Sequence, residues 1–171
     1  MIKRLHTLAS VLLVIALVFS LVSCAPRYQH CELGILLPDS FEKYEIGKAY
    51  DVAYSDGTMI VGMLRFSFAA CLNAGIPITM NQDKWAEYYL EHAEGLDNLS
   101  EINRRGSTPY FTYTMEGDDG ATYRYIPSFY ITPYAYFVIT FIFGEDYAAE
   151  ATLEALEYID TVYLLDNYKA N

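Results

Sequence analysis

The sequence predicts an α+β fold, an α/β/α sandwich around a mainly antiparallel sheet of about six to seven strands, with two main helices. Turn-forming residues at 55–57 and 117–120 separate β-rich segments, which favours hairpins and therefore antiparallel pairing. Residues 134–143 (YAYFVITFIF) are apolar on both faces, which is typical of a central strand that is covered on both sides. Two other segments have apolar residues at helical spacing, so helices can supply that cover.

The first half of the domain is predicted to begin with three strands. Residues 33–37 form an apolar strand that ends at Pro38, because proline cannot donate to a sheet ladder. Residues 49–54 and 58–68 form the first hairpin.

A helix is predicted after this hairpin. Thr79 and Gln82 have the spacing of a capping box at its start, and Gly95 can end it. The apolar side chains expected to pack on the sheet are Trp85, Tyr88, Tyr89 and Ala93. Acidic residues lie elsewhere on the helix, where they form a solvated face or, alternatively, a docking surface for a basic partner: Glu87, Glu91 and Glu94.

The second half is predicted to contain more strands, a helix and an edge strand. The predicted strands cover residues 100–105, 110–116, 121–130, 134–143 and 161–165. The helix, at 146–159, precedes the last of them. Its inward side chains are predicted to be Ala149, Leu153, Leu156 and Ile159.

The N-terminus resembles a bacterial lipoprotein signal peptide. Two basic residues precede an apolar stretch at 8–21, which is shorter than the roughly 18–20 residues that cross a bilayer. The segment 21–24 (LVSC) resembles a lipobox, which implies cleavage of residues 1–23 and lipidation of Cys24. A plain secretory signal is the alternative.

The rest of the chain is predicted to be one domain. A short tether at 24–32 leads to a single domain at 33–165 and a C-terminal tail at 166–171. Loss of Lys3 and Arg4 with the signal peptide changes the formal net charge from −11 to −13. This charge disfavours nucleic acid as a partner; it suits a soluble exported domain or a site for a cationic ligand or basic protein.

Several segments resemble the PsbP-like family. They are GILLPDSFE, the hairpin AYDVAYSDGTMIVGMLRFSF, the helical KWAEYY, and YAYFVITFIF followed by AAEATLEALEYIDTV. The resemblance covers about residues 33–165 and implies a PsbP-like α/β/α fold with a non-enzymatic accessory or binding role. A cystatin-like or other exported α+β domain is the alternative.

Catalytic and metal-binding motifs are missing from the mature sequence. Its two histidines, His30 and His92, lie in the predicted tether and on the charged side of the first helix, so a His-based triad or zinc site is hard to assemble. Asp118 and Asp119 are attributed to turn chemistry, with a cation contact as the alternative. We predict no enzyme activity, no cofactor and no metal site; a carboxylate-based hydrolase is the alternative.

The sequence leaves two alternative roles for the two cysteines of the mature chain and for Arg65. Cys31 and Cys71 could pair in an exported domain or remain free, and Cys71 is placed at the end of a strand. Arg65 lies in an otherwise apolar strand and is predicted to pair with a carboxylate such as Asp51, with anion binding as the alternative.

Tyrosine is abundant, with 17 residues, all after the predicted cleavage site. Many are expected to be core residues of strands. The alternative is a binding face, because tyrosine gives a large, stiff and amphipathic contact area. The candidate ligand-binding residues are Tyr110, Tyr113, Tyr123, Tyr125, Tyr134 and Tyr136.

These features together predict an extracytoplasmic lipoprotein. The membrane is its first partner, through the lipid on Cys24, and a small ligand or an envelope protein is the second. Its predicted role is that of a non-catalytic binding or accessory module. A structural or assembly subunit of an envelope complex is the alternative.

Overall fold

The structure, a computed structural model, describes residues 27–165. The predicted signal peptide, Cys24 and the tail at 166–171 lie outside the described residues. The strands are β1 Arg27–His30, β2 Leu33–Leu36, β3 Glu42–Lys43, β4 Val52–Ser55, β5 Met59–Ser67, β6 Asn103–Arg105, β7 Thr108–Tyr110, β8 Tyr113–Glu116, β9 Thr122–Ile131, β10 Ala135–Gly144 and β11 Tyr163–Leu164. The helices are α1 Phe68–Asn73, α2 Gln82–Glu91 and α3 Ala148–Ile159, the last preceded by a 3₁₀ turn at Glu145–Tyr147.

The main sheet has eight strands in the order β3-β4-β5-β10-β9-β7-β6, with β8 also paired to β9. Its pairings within the described range are antiparallel. β10 lies at the centre, between β5 and β9, and nine of its ten residues are buried. The predicted fold class, α+β with a large antiparallel sheet, is confirmed, although the sheet has more strands than predicted.

Each face of the main sheet has its own hydrophobic core. Alternate residues of β10 point to opposite faces, so that Phe137 and Phe141 belong to one core and Tyr136 and Val138 to the other. The first core packs beneath α3, and the second packs beneath α1 and α2. Helices therefore cover both faces, as the apolar sequence of β10 predicted.

A second, three-stranded sheet lies beside α3 in the order β1-β2-β11. The tether predicted at 24–32 is wrong from Arg27 onwards, because β1 pairs with β2 from Arg27↔Leu36 to His30↔Leu33. The predicted last strand exists, but it joins β2 and not the main sheet. Gly34 makes this pairing possible, since a Cβ there would lie 2.4 Å from the Tyr163 ring.

Two helix starts differ from the prediction. Asn81, and not Thr79, caps α2, because the Asn81 side chain accepts a hydrogen bond from the Lys84 amide at 2.9 Å. The segment after β5 turns into α1, where Ser67 caps the helix and accepts from the Ala70 amide at 3.2 Å. Cys71 therefore lies in a helix and not at a strand end.

The inward face of α3 was also predicted in part wrongly. Leu153 is 67% exposed and Ala149 is exposed, whereas Ala155 and Ile159 are buried. The small side chain of Ala155 lets the helix approach the sheet closely. The predicted inward position of Ile159 is confirmed.

Candidate functional site

The six predicted tyrosines do not form one surface. Tyr110 and Tyr113 are three positions apart, so strand alternation sends them to opposite faces. Tyr110 packs on the α3 core and Tyr113 belongs to the α2 core. Tyr125 joins Tyr113, and their rings stack with centroids 4.9 Å apart and 6° between planes. Burial raises the pKa of both hydroxyls.

The other three candidates have separate surroundings. Tyr136 is fully buried; its hydroxyl donates to the Pro77 carbonyl and accepts from the Met80 amide, each at 3.0 Å. Tyr134 lies between β9 and β10 and is 41% exposed, more than any other of the six. Tyr123 lies near the hairpin tip at Asp119. As a ligand-binding set, the six residues stay a prediction.

The acidic hairpin tip has the geometry of a turn. One Asp119 oxygen accepts from the Ala121 amide at 3.0 Å and the other accepts from the Tyr123 hydroxyl at 2.7 Å. The Tyr123 hydrogen bond lowers the pKa of Asp119 and raises that of Tyr123. Among residues 27–165, no group of three His, Cys, Asp or Glu side chains is arranged to hold a metal ion.

A groove of about 380 Å³ lies beside α2 and is the candidate binding site. The residues that line it come from β5, the α1–α2 connection and α2 with its C-terminal extension: Phe66, Ile76, Trp85, Tyr88, Tyr89, His92 and Ala93. Apolar surface predominates in this lining. Grooves of this size with aromatic walls are typical small-ligand sites.

The rings of the groove are held in place from below. Trp85 stacks on Tyr136 with centroids 4.8 Å apart and 17° between planes, and its indole Nε1 donates to the Phe137 carbonyl at 3.2 Å. Phe66 meets Trp85 in an edge contact at 5.1 Å. These contacts fix the indole, so the wall of the groove is preorganised.

The outer wall is a stack of two rings on α2. Tyr88 and His92 lie one helical turn apart, with centroids 4.1 Å apart. His92 Nδ1 lies 2.8 Å from the Tyr88 carbonyl oxygen, which can only accept, so Nδ1 carries the proton. Burial raises the pKa of the neighbouring Tyr89 hydroxyl.

The helix that builds the groove is acidic. Residues 82–94 contain four carboxylates and one lysine. Lys84 lies 3.9 Å from Glu87, and Asp83 pairs with Arg104 of β6. Within the described range, Glu91 and Glu94 form no ion pair. They flank His92 and Ala93 and leave a negative charge at one end of the groove.

A second cavity, of about 400 Å³, lies near the end of α3, and its lining also includes Gln82 at the start of α2. Its lining includes Tyr130, Tyr163 and the ion pair between Arg105 and Asp160, whose Nε and Oδ2 atoms are 2.7 Å apart. Arg105 and Asp160 neutralise each other's charge here. The cavity is therefore a weaker candidate than the groove for a charged ligand.

A buried ion pair ties the small sheet to the main sheet. Arg65 Nε and Nη2 donate to the two Glu32 oxygens at 2.9 and 3.0 Å, and the Thr132 hydroxyl donates to Glu32 at 3.0 Å. The predicted side-chain partner, Asp51, is wrong: it accepts from the Arg65 backbone amide at 2.7 Å instead. Arg65 points to the α3 face, where the β1–β2 turn places Glu32.

Glu32 is 2% exposed, yet it remains an acid of low pKa. Burial acts to raise its pKa, but the hydrogen bonds from Arg65, from its own backbone and from Thr132, together with the Arg65 charge, lower the pKa below the usual value. The carboxylate is thus ionised and fully occupied.

Cys31 and Cys71 are both free thiols. Cys31 lies beside His30, whose Nε2 is 3.2 Å from an Asp51 oxygen. The thiol sulfur is 4.0 Å from Nδ1 and 3.9 Å from Nε2 of His30. A sulfur equally far from both nitrogens is aligned with neither, so this trio lacks the in-line contact of a Cys–His nucleophile pair.

No known protein family and no curated protein sequence matches the chain. Solved structures do. The chain is similar to a crystal structure from Bacteroides thetaiotaomicron, with a TM-score of 0.57 and 12% identity, over 85% of this chain and 50% of that one. It thus spans half of that neighbour's length. At this identity the similarity shows the fold alone.

Two further structures are more distantly similar. LpqN, involved in cell envelope biogenesis of Mycobacterium tuberculosis, has a TM-score of 0.49 and 9% identity, over 77% of this chain and 82% of LpqN. The cyanobacterial PsbP (CyanoP) of a Synechocystis species, a solution structure, has a TM-score of 0.45 and 13% identity, over 82% of this chain and 92% of that one. Membership of the PsbP-like family stays a prediction.

Sequence reasoning found the rings of α2 but assigned them to packing on the sheet. It did not predict the groove, because Phe66 and Ile76 come from segments that only the fold brings to α2. The usable signal was the spacing of Tyr88 and His92, one turn apart on a helix rich in carboxylates.

Proposed function

We propose that this protein is an exported lipoprotein, anchored through Cys24 at the extracytoplasmic face of a bacterial membrane, with a PsbP-like domain that acts as a non-catalytic binding or accessory module. The segment 21–24 (LVSC) carries the proposal, because a cysteine after a short apolar run is what lipoprotein processing requires. Two or three acyl chains anchor a protein stably, whereas one does so only marginally. The groove beside α2 is the site to which we assign binding.

The short distance between Cys24 and the fold supports a position close to the membrane. Ala25 and Pro26 alone separate Cys24 from β1. Three residue steps of extended chain span about 10 Å, so an anchored domain stays near the bilayer surface. β1 lies on the α3 side of the main sheet, and the groove lies on the other side.

The non-catalytic part of the proposal is supported by the surroundings of the polar side chains. A carboxylate hydrolase needs two free carboxylates about 5–10 Å apart in a cleft. Both oxygens of Glu32 are bound, and no carboxylate lines the groove within the described residues. These observations favour binding over carboxylate hydrolysis at the groove; elsewhere, Glu145 and Asp146 line another cavity, and Glu145 is paired with Arg124.

Replacement of the anchoring cysteine tests the proposed location. Cys24→Ala should move the protein from the membrane fraction to a soluble or unprocessed form and abolish incorporation of labelled palmitate. Cys31→Ala is the matched control, because it removes a nearby cysteine, and it should leave both unchanged. A Cys24→Ala protein that still incorporates palmitate would refute the anchor.

Mild crosslinking in native membranes tests the second half of the proposal. The anchored protein is recovered and its partners are identified by mass spectrometry. A protein at equal stoichiometry, crosslinked through α2, would favour the assembly-subunit alternative. Recovery of the chain alone favours a free-standing binder of small ligands.

A further inference from the structure

The groove beside α2 joins aromatic walls to an acidic border. We infer that it binds a small organic cation with an alkylated, quaternary ammonium group, taken from solution. This inference rests on the proposed binding function and adds the class of ligand.

Aromatic walls favour a cation because the face of each ring carries partial negative charge. Such contacts are worth roughly 0.5–1 kcal/mol when exposed and about 2 kcal/mol or more when water is excluded. Four of the seven lining residues are Phe, Trp or Tyr. Trp85 is 2% exposed and is fixed by Tyr136 and by the Phe137 carbonyl, so it forms a rigid floor on which little ordering is needed on binding. The accessible aromatic surface comes from the half-buried rings of Phe66, Tyr88 and Tyr89.

The charge around the groove has the matching sign. Glu91 and Glu94 adjoin the lining residues His92 and Ala93 and have no ion-pair partner among residues 27–165. The lysine of α2, Lys84, is 69% exposed and lies 3.9 Å from Glu87. No Lys or Arg lines the groove in the part of the chain that is described. An anion would be repelled at this border, and a cation attracted.

Hydrogen bonding separates alkylated from primary ammonium groups. A primary ammonium has three N–H donors and loses their water partners when it is buried. The side-chain acceptors of the lining are the Tyr88 and Tyr89 hydroxyls and His92 Nε2, all on α2 or just after it, and the rest of the lining is mostly apolar, so three acceptors around one buried ammonium are not provided on the β5 side. A quaternary ammonium donates no hydrogen bond and presents methyl groups to the rings.

The position of the groove favours a solute over a lipid headgroup. β1, to which Cys24 leads, packs on the α3 face of the main sheet, and the groove opens on the α2 face. An anchor at β1 therefore does not bring the groove to the bilayer. A headgroup source is an outcome that the experiment distinguishes.

Trp85 provides the measurement, because it is the single tryptophan of the chain and lies in the groove wall. The full-length lipoprotein is held in a maltoside detergent, which has no choline group, and titrated with choline at constant ionic strength. The neutral isostere 3,3-dimethylbutan-1-ol is titrated in parallel. We expect a saturable change in fluorescence with choline and at least a fivefold weaker response to the alcohol. Vesicles of phosphatidylcholine, compared with phosphatidylglycerol, test a headgroup source.

Variants locate the binding. Tyr88→Leu keeps an apolar side chain but removes the ring, and should raise the choline Kd about five- to thirtyfold. Tyr88→Phe should preserve binding, and Tyr147→Leu, at an exposed position outside the groove, is the matched control.

Three results would overturn the inference. Equal binding of choline and the alcohol would make the groove a general apolar site and leave the proposed binding function intact. Equal loss in Tyr88→Leu and Tyr147→Leu would place the binding elsewhere. Absence of any saturable response would exclude this ligand class, and the crosslinking experiment would then decide the proposed function separately.

Discussion

The two faces of the main sheet are covered in different ways. On the α3 face, the small sheet and the helix close over the strands, and Glu32 is buried against Arg65, whose side chain is 19% exposed. On the α2 face, a ten-residue helix covers part of the sheet and leaves an open groove of aromatic rings beside it. The sheet is common to both faces, so the difference comes from what each face packs against.

This difference separates stability from recognition. On the α3 face, both oxygens of the Glu32 carboxylate are bound by Arg65 and Thr132, so this carboxylate is not available to a ligand. On the α2 face, Trp85 is buried and fixed, whereas Phe66, Tyr88 and Tyr89 are half-buried beside an open groove, as in many small-ligand sites. Substitutions on the α3 face should therefore change the free energy of unfolding, whereas substitutions in the groove should change binding.

Arg65→Met should have the largest effect on stability. It leaves the ionised Glu32 carboxylate buried without its cation, and loss of one partner of a buried pair costs about 3–5 kcal/mol. Urea unfolding at pH 7, followed by Trp85 fluorescence and circular dichroism, measures the free energy of unfolding. Arg104→Met is the matched control, because the Arg104–Asp83 pair is exposed and should cost less than about 1 kcal/mol.

The double variant Glu32→Leu with Arg65→Met sharpens this test. It removes both charges, so it should recover much of the lost stability. If Arg65→Met alone loses less than the Arg104→Met control, the α3 face is not held by this pair and the contrast between the faces fails.

The pH dependence of the unfolding free energy should show part of the stabilisation that the Glu32–Arg65 pair provides. The pKa of Glu32 in the folded state is lower than the usual value for a glutamate, so its contribution is present above about pH 4.5 and is lost as the pH falls through the folded pKa. Glu32→Gln should therefore be less sensitive to acid than the unaltered chain between pH 5 and pH 3, roughly the window in which carboxylates titrate. Identical acid sensitivity of the two would show that other carboxylates dominate.

Gly62→Ala tests the packing of the α2 face where the groove does not reach. A Cβ at Gly62 would lie 2.6 Å from the ring of Tyr50, so the ring must move. Overpacking of this kind costs about 1–3 kcal/mol. Gly144→Ala is the control, since its nearest neighbour would be at 3.9 Å; the test is the difference in their melting temperatures. An equal effect would mean that Tyr50 is not held against the sheet.

The central part of this fold could be predicted because each signal was local. The apolar run of β10, the turn before β5 and the helical spacing around Trp85 depend on neighbours in the chain. Arg65 was recognised as needing a carboxylate, but the partner was wrong. Asp51 is near along the sheet, whereas Glu32 reaches Arg65 only because β1 and β2 form a hairpin that the sequence pattern did not distinguish from a tether.

The groove was beyond sequence reasoning for the same physical reason. The spacing of Trp85 and Tyr89 predicts a helix face that packs on the core. For Trp85 this prediction is correct, because the residue is 2% exposed and stacks on Tyr136. What the pattern cannot state is how much of the sheet the helix leaves uncovered. That depends on where the α1–α2 connection places Ile76, which is a matter of tertiary packing.

The smallest expected effect concerns the exposed pair at the mouth of the second cavity. Arg105 and Asp160 have side chains 42% and 49% exposed, so water screens their attraction even though Nη2 and Oδ2 are 2.7 Å apart. Asp160→Asn should cost about 0.2–1 kcal/mol in unfolding free energy, and the difference should vanish in 1 M salt, where the screening length is about 3 Å. The two pairs differ in burial and in geometry, since Arg65 reaches both oxygens of Glu32, whereas both Arg105 nitrogens reach Oδ2 of Asp160. A loss from Asp160→Asn as large as that from Arg65→Met, persisting in high salt, would mean that the α3 face is held at its rim as firmly as at its centre.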